Sequence, residues 1–184
     1  ELSDVTPAQR KKAKQANFGI IYGITTFGLA QRMGIDNKEA RQLIDDYFRT
    51  FPKVGEYMET AKRMARAKGY AETLFKRRRY LQDINSKNAT VRGFAERNAI
   101  NAPIQGSEAD IIKVAMIRIH KRFADEGIRS KMILQVHDEL NFSVYPEEKE
   151  QVEKIVREEM EKAYILNVPL VADAGWGSNW LEAH

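Results

Sequence analysis

Apolar residues recur at intervals of three and four along most of this chain, a spacing typical of helices with one buried face. The first predicted helix begins at Thr6, which stands three residues before Gln9 in the pattern of a capping box. It ends at Gly23, because glycine readily terminates a helix. The same spacing predicts further helices over 26–33, 36–51, 52–69, 89–127 and 147–164. Within the fourth of these, Pro103 and Gly106 predict a kink or a break.

The helical spacing fails in three segments, which predict extended structure. Residues 70–80 predict a small hairpin or an irregular turn. Residues 131–145 predict two apolar strands joined by a tight turn at Asp138 and Glu139, and residues 168–174 predict a strand that returns beside them. Helices followed by strand, turn, strand, helix and strand predict an α+β fold. A mainly helical part should precede a small antiparallel sheet with a packed helix.

Composition excludes several classes of protein. The 184 residues include no cysteine, which excludes disulfide bonds, a thiol nucleophile and cysteine-ligated zinc. No apolar run approaches the roughly 20 residues that cross a bilayer, so we expect a soluble, cytoplasmic protein with no membrane partner. Residues 1–130 hold 25 Lys and Arg against 15 Asp and Glu, whereas residues 131–184 hold 5 against 11. This asymmetry fits a polyanion-binding surface beside a carboxylate-rich one, although an ordinary solvated surface also explains it.

One face of the first helix carries candidate chemistry. Steps of four residues advance about 400° around a helix, so Arg10, Lys14, Phe18 and Tyr22 form one stripe. Arginine offers forked donors to a phosphate, lysine offers a compact charge, and the aromatic rings offer a flat surface for a base or sugar. The stripe therefore suits a nucleoside triphosphate. The alternative is a basic helix with one apolar face, whose Phe18, Ile20 and Ile21 belong to the core.

Three further groups are candidates for binding a polyanion or a metal. The run 76–79, Lys-Arg-Arg-Arg, is the densest positive charge in the chain, and either a phosphate contact or a solvated basic loop explains it. Arg97, Asn101 and Gln105 share one helical face, yet mid-helix amides are usually just exposed polar residues. The adjacent acids at 138–139 can bind a divalent cation, although an ordinary polar turn also explains them.

Three strings together resemble one protein family. The string at 10–23, Arg-x3-Lys-x2-Asn-Phe-Gly-x2-Tyr-Gly, is similar to motif B, the fingers helix of family-A DNA polymerases, the bacterial DNA polymerase I group. Residues 135–139, Gln-Val-His-Asp-Glu, resemble motif C of that family. Residues 73–79 resemble its Thr-x-x-Gly-Arg-Arg-Arg pattern, with Lys76 in the place of the glycine, which puts a positive backbone angle there in doubt. Phage-type RNA polymerases lack the Asn-Phe-Gly and match less well.

The resemblance implies a DNA-directed DNA polymerase, a nucleotidyltransferase that adds dNTPs to the 3′-hydroxyl of a primer on template DNA. Arg10 and Lys14 would be catalytic residues that hold the triphosphate and neutralise charge in the transition state. Phe18 would pack on the incoming sugar and base, and Tyr22 would stack at the templating position.

The same resemblance implies metal and DNA contacts. Asp138 would ligate catalytic Mg²⁺, with Glu139 as a nearby, less essential acid, and two ions would stabilise the attacking and leaving oxygens. His137 would touch the primer strand near its 3′ end. The other implied DNA contacts are Arg77, Arg78, Arg79, Arg97, Asn101 and Gln105.

The resemblance also implies an organisation: a fingers subdomain over 1–128, then the C-terminal part of the palm over 129–184. The family's motif A, roughly Asp-Tyr-Ser-Gln-Ile-Glu, supplies a second aspartate and does not occur in this sequence. We therefore expect a C-terminal piece of a bacterial, nucleoid-associated, monomeric polymerase. It should be inactive alone, with the motif A strand and thumb in the remainder of the chain as its partners. The alternatives are a nucleic-acid-binding helical module without chemistry and a helical scaffold for protein partners.

Overall fold

The structure, a computed structural model, describes residues 4–183 and falls into two compact units, the first ending at Ile104 and the second beginning at Gln105. Its longer helices are α1 Pro7–Ile21, α2 Thr26–Met33, α3 Asn37–Thr50, α4 Pro52–Lys68, α5 Ala89–Asp125 and α6 Lys149–Glu161. The short α7 spans Trp180–Ala183, and 3₁₀ turns cover Gln82–Asn85 and Pro146–Glu148. Two antiparallel hairpins pair β1 Tyr70–Glu72 with β2 Arg78–Tyr80, and β3 Lys131–Val136 with β4 Glu139–Ser143. The predicted α+β fold is confirmed, while the subdomain boundary at 128/129 stays a prediction.

Helix α1 begins and ends where its sequence predicts. The Thr6 hydroxyl accepts a hydrogen bond from the Gln9 backbone N–H at 3.3 Å, and the Gln9 side chain accepts one from the Thr6 N–H at 2.8 Å. This completes a capping box, which satisfies backbone donors at a helix start. At the other end Gly23 has φ +76°, a conformation that glycine adopts without strain.

One core in the first unit is shared by α1, α2 and α3. Its buried members are Ala16, Ile20, Leu29, Ala30 and Ala40. The small side chains let the helices approach closely, and the apolar burial supplies most of the stability of such short helices.

A second core of the first unit joins α4, the β1–β2 hairpin and the beginning of α5. Its buried members are Ala65, Ala71, Leu81, Ile84, Ala95, Ala99 and Ala102. The Tyr57 hydroxyl donates a hydrogen bond to the Ile100 carbonyl at 2.8 Å, and burial raises the pKa of this phenol.

The predicted break in the long helix is wrong, because α5 is continuous from Ala89 to Asp125 and contains Pro103. The alternative, a kink at Pro103 and Gly106, stays a prediction. A proline inside a helix removes one backbone hydrogen bond. Here residues on both sides of the proline are buried, among them Ile100 and Ala102 before it and Ser107 after it. We attribute the continuity to this packing, which outweighs one missing hydrogen bond.

In the second unit, the C-terminal half of α5 packs with α6 and the β3–β4 hairpin. The buried members of this core are Ala115, Ile119, Phe123, Val152, Ile155 and Ala163. The hairpin covers the core with Met132, Leu140 and Phe142. Arg122 adds hydrogen bonds to Glu126 at 2.6 Å and Glu158 at 2.7 Å.

The predicted strand over 168–174 is wrong, because within the described residues the second sheet has only the strands β3 and β4. The backbone of Ala172 bonds to side chains of α6 instead of to a neighbouring strand. Its N–H donates to Glu161 at 3.3 Å, and its carbonyl accepts from the Arg157 guanidinium. Trp176 anchors the segment further by donating from Nε1 to Glu153 at 2.8 Å. Side-chain partners thus replace the ladder that the pattern predicted.

Among the residues that the structure describes, no helix combines the length and the apolar character needed to cross a bilayer.

Glu148 ties the segment before β3 to the start of α6. Its carboxylate accepts hydrogen bonds from the Ser130 hydroxyl at 2.6 Å, the Ser130 N–H at 2.8 Å and the Arg129 N–H at 3.1 Å. The side chain is only 11% exposed. Since these donors favour the charged form, the Ser130 hydroxyl above all, they lower the pKa of Glu148 to about 2.

This lowered pKa predicts a pH dependence of stability. An unfolded glutamate has a pKa of about 4.3, so Glu148 stabilises the folded chain fully above that pH and loses the effect as the pH falls towards about 2. We expect Glu148→Gln to lower the melting temperature at neutral pH and to flatten its fall in that acidic window, as followed by circular dichroism. Glu150→Gln, at an exposed position of α6, is the matched control and should leave the profile unchanged. Equal acid sensitivity of the Glu148→Gln variant and the unsubstituted chain would contradict this account.

Candidate nucleotide, nucleic-acid and metal sites

Three residues of the candidate triphosphate stripe, Arg10, Lys14 and Phe18, lie on the solvent side of α1, and the half-buried Tyr22 follows the last residue of the helix. Arg10 and Lys14 are exposed, and Phe18 is 46% exposed, so the alternative that places Phe18 in the core is wrong. The same alternative is confirmed for Ile20, which is buried in the core. The Lys14 Nζ atom lies 5.8 Å from the centroid of the Phe18 ring, and the rings of Phe18 and Tyr22 lie 5.9 Å apart at 33°. Two cations and an aromatic surface therefore follow one another along one open face.

The end of α1 approaches α5 closely at Gly23. A Cβ atom built at this glycine would lie 3.4 Å from Cγ of Arg97. A Cβ atom at that distance would make an ordinary van der Waals contact, so glycine is favoured at this position by its positive φ, and the end of α1 packs against Arg97 of α5 beside Tyr22. Arg97 is itself exposed, with its guanidinium 5.9 Å from the ring of Phe94. The structure therefore brings one predicted DNA contact, Arg97, to the end of the stripe.

The three α5 residues predicted to share a face differ in their exposure. Arg97 and Gln105 are exposed, and Gln105 is the first residue of the second unit. Asn101 is half-buried, and its Oδ1 atom is enclosed without a donor among the described residues. Asn101 is therefore not the exposed polar residue that a mid-helix amide usually is.

A tight turn presents the basic run 76–79. Thr73, which is buried, donates its N–H to the Arg77 carbonyl at 2.9 Å and accepts at its own carbonyl from the Lys76 N–H at 3.0 Å. Its hydroxyl also accepts from the Arg77 N–H at 3.2 Å. Thr73 is not among the site residues predicted from the sequence, although a threonine that opens a turn is a known signal.

Lys76 occupies the backbone conformation that the family pattern reserves for glycine. Its φ is +67°, so the positive angle that the substitution put in doubt is retained by a residue with a side chain. Such a conformation costs a non-glycine residue roughly 1–2 kcal/mol. The four side chains of 76–79 are all exposed.

Glu72 is the acidic partner of this turn, and sequence reasoning missed it. Its carboxylate lies 3.5 Å from Lys76 Nζ and 3.5 Å from Arg78 Nε. The strand register, which pairs Glu72 with Arg78, is the signal that predicts this contact. Exposed ion pairs of this kind contribute about 0–1 kcal/mol, which is less than the backbone strain at Lys76.

The two acids of the second hairpin do not both lie in its turn. His137 and Asp138 form a two-residue turn, whereas Glu139 is the first residue of β4 and pairs with Val136. The prediction of both acids at the turn is therefore wrong for Glu139. Two-residue turns match the twist of a hairpin and require a positive φ, which His137 supplies at +53°. Gln135 Nε2 steadies the turn by donating to the His137 carbonyl at 2.6 Å.

The donor chemistry of this hairpin fits part of a magnesium site. Asp138 is exposed and Glu139 is half-buried, and carboxylate oxygens are the protein ligands that Mg²⁺ prefers. Within residues 4–183, however, no three acidic or histidine side chains are grouped to hold an ion. The hairpin can therefore supply one side of a coordination shell, and oxygens from elsewhere must supply the rest.

Comparison with known proteins gives a consistent result. The family model for DNA polymerase family A matches residues 1–182. The chain is 53% identical over 180 residues to DNA polymerase I of Streptococcus pneumoniae, covering 98% of this chain and 20% of that protein. It is 50% identical over 182 residues to DNA polymerase I of Caldicellulosiruptor bescii, covering 99% of this chain and 21% of that protein. The chain thus spans about a fifth of the length of these relatives.

A solved structure agrees with this assignment. The polymerase domain of Pol1 from M. smegmatis, determined with DNA primer-template and dNTP, matches with a TM-score of 0.97 and 45% sequence identity. The match covers 100% of this chain and 32% of that one. With the family model matching from the first residue to the last but two, this chain belongs to DNA polymerase family A.

Proposed function

We propose that this chain is the part of a DNA polymerase I-type, DNA-directed DNA polymerase that binds the incoming dNTP and the primer–template. The observation that carries this proposal is the open stripe of α1, with Arg10 and Lys14 exposed and Lys14 Nζ 5.8 Å from the Phe18 ring. The similar M. smegmatis structure, which contains primer-template and dNTP, supports the same ligands for this chain.

The reaction would be transfer of a nucleotide to the primer 3′-hydroxyl with release of pyrophosphate. Arg10 would bind the triphosphate through the N–H donors of its guanidinium, and Lys14 would neutralise charge that develops on the phosphates in the transition state. Phe18 would hold the sugar and base by stacking, and Tyr22 would stack at the templating position.

The hairpin acids would take part through Mg²⁺, for which Asp138 would be the principal protein ligand and Glu139 a weaker neighbour. Two bound ions would stabilise the attacking and leaving oxygens of the transfer. Asp138 keeps its exposed position at the turn because the apolar side of the hairpin, including the half-buried Leu140 and Phe142, packs on the core.

The remaining contacts would hold the nucleic acid and complete the enzyme. His137 would lie at the primer end, and the phosphates and sugars of the duplex would bind the set Arg77, Arg78, Arg79, Arg97, Asn101 and Gln105. A motif A strand and a thumb elsewhere in the polymerase chain would be the protein partners. The whole would act as a cytoplasmic, nucleoid-associated monomer.

The nucleotide role predicts a specific loss of affinity. Lys14→Ala should weaken binding of a dNTP by roughly tenfold or more, because a hydrogen bond to a charged group contributes about 1.5–3 kcal/mol. Isothermal titration calorimetry of the chain with dTTP measures the dissociation constant. Lys12→Ala, which removes an exposed lysine from another side of the same helix, is the control and should change little. A module that binds only DNA would instead show no binding of dTTP, and its Lys14→Ala variant would lose affinity for DNA. That result would contradict the proposal.

The 184 residues alone are expected to show no primer extension. Mg²⁺ retains its waters and needs several oxygen ligands, so Asp138 with Glu139 should bind it only weakly. Extension of a labelled primer in the presence of Mg²⁺ is the test. Robust extension that Asp138→Asn abolishes would show that these residues suffice and would overturn the expectation.

A further inference from the structure

The turn at the end of the β1–β2 hairpin holds a lysine in a conformation that favours glycine. Lys76 has φ +67°, and the turn hydrogen bonds between Thr73 and Arg77 leave its backbone little freedom to relax. A residue that retains such strain is a candidate for function, because the fold gains nothing from the conformation itself.

Local stabilisation does not explain the side chain. The ion pair of Lys76 with Glu72 spans 3.5 Å, and the lysine side chain is 79% exposed. Arg78 lies at the same distance from the same carboxylate. One carboxylate therefore faces two cations. The folding free energy that such an exposed ion pair contributes is smaller than the free energy that the strained backbone of Lys76 costs.

The β1–β2 hairpin carries a net positive charge on its exposed surface. Residues 70–80 contain four cations and one carboxylate, and all four cations are exposed. A net positive charge on one small hairpin favours binding of an anion, and the backbone phosphates of a nucleic acid are anions of this kind. Lys76 lies at the turn, and its exposed side chain extends the basic surface beyond the strands.

We propose that Lys76 is a phosphate-binding residue, whose ammonium contacts one backbone phosphate of bound duplex DNA. Glu72 positions it, because this carboxylate holds both Lys76 and Arg78 beside the turn. The inference rests on the proposed function and adds to it a contact at the place where the family pattern has glycine.

The test compares salt dependence across matched variants of the whole chain. Lys76→Gly and Lys76→Asn both remove the charge and both suit a positive φ, whereas Lys76→Arg keeps the charge. Lys53→Ala removes another exposed lysine of the same unit, 87% exposed and paired with Glu56, and serves as the control. Binding to a fluorescein-labelled primer–template duplex is measured by anisotropy over a series of KCl concentrations, and melting temperatures are recorded in parallel.

We expect Lys76→Gly and Lys76→Asn to decrease the magnitude of the slope of log affinity against log salt concentration by about 0.9, the value for one lost phosphate contact. Their melting temperatures should equal or exceed that of the unsubstituted chain. Lys76→Arg and Lys53→Ala should keep the full slope. If both charge-removing variants bind DNA with an unchanged slope, the role of Lys76 is overturned and the proposed function is not affected. Absence of DNA binding by the unsubstituted chain would overturn this role and the DNA-binding part of the proposed function together.

Discussion

The burial of one face of α1 determines the chemistry of the other. Ala16 and Ile20 lie in the core with Leu29 of α2, and the capping box at Thr6 sets where the helix starts. A helix with both its start and its buried side determined has no freedom in where its remaining side chains point. Arg10 and Lys14 are exposed for this reason, at the place where a triphosphate would need cations.

Local features of this chain were the predictable ones. Caps and terminating glycines act within a few residues, so the start at Thr6, the end at Gly23 and the stops at Gly34 and Gly69 follow from sequence. The stripe of α1 was predictable for the same reason, because its side chains are related only by helix geometry. A proposal for its ligand takes more than periodicity. A pattern with the same spacing fits a basic helix with an apolar face, and only the specific string of residue types favours a nucleotide.

The features that sequence reasoning missed depend on contacts between distant residues. Pro103 stays inside α5 because packing along the helix opposes the break that its chemistry favours. Residues 168–174 lack a strand partner, and the side chains of Glu161 and Arg157 take the backbone bonds of Ala172. Glu139 leaves the turn because the strand register, which residue spacing does not reveal, pairs it with Val136. In each case a tertiary partner outweighs the local preference.

Two residues other than glycine have a positive φ among those described, and both lie in candidate sites: Lys76 in the basic turn and His137 beside Asp138. Strain of this kind persists only where surrounding hydrogen bonds hold it, as those of Thr73 and Gln135 do here. The basic hairpin and the acidic hairpin are thus built alike, with a strained turn that presents charge from a regular base.

The central claim is that a nucleotide binds along the open face of α1. Titration of the isotope-labelled chain with dTTP, followed by amide chemical shifts, tests it most directly. The account predicts concentration-dependent shifts along α1, greatest from Arg10 to Tyr22, with the amides of α3 unaffected. Shifts that are absent from α1, or that concentrate elsewhere in the chain, would contradict it.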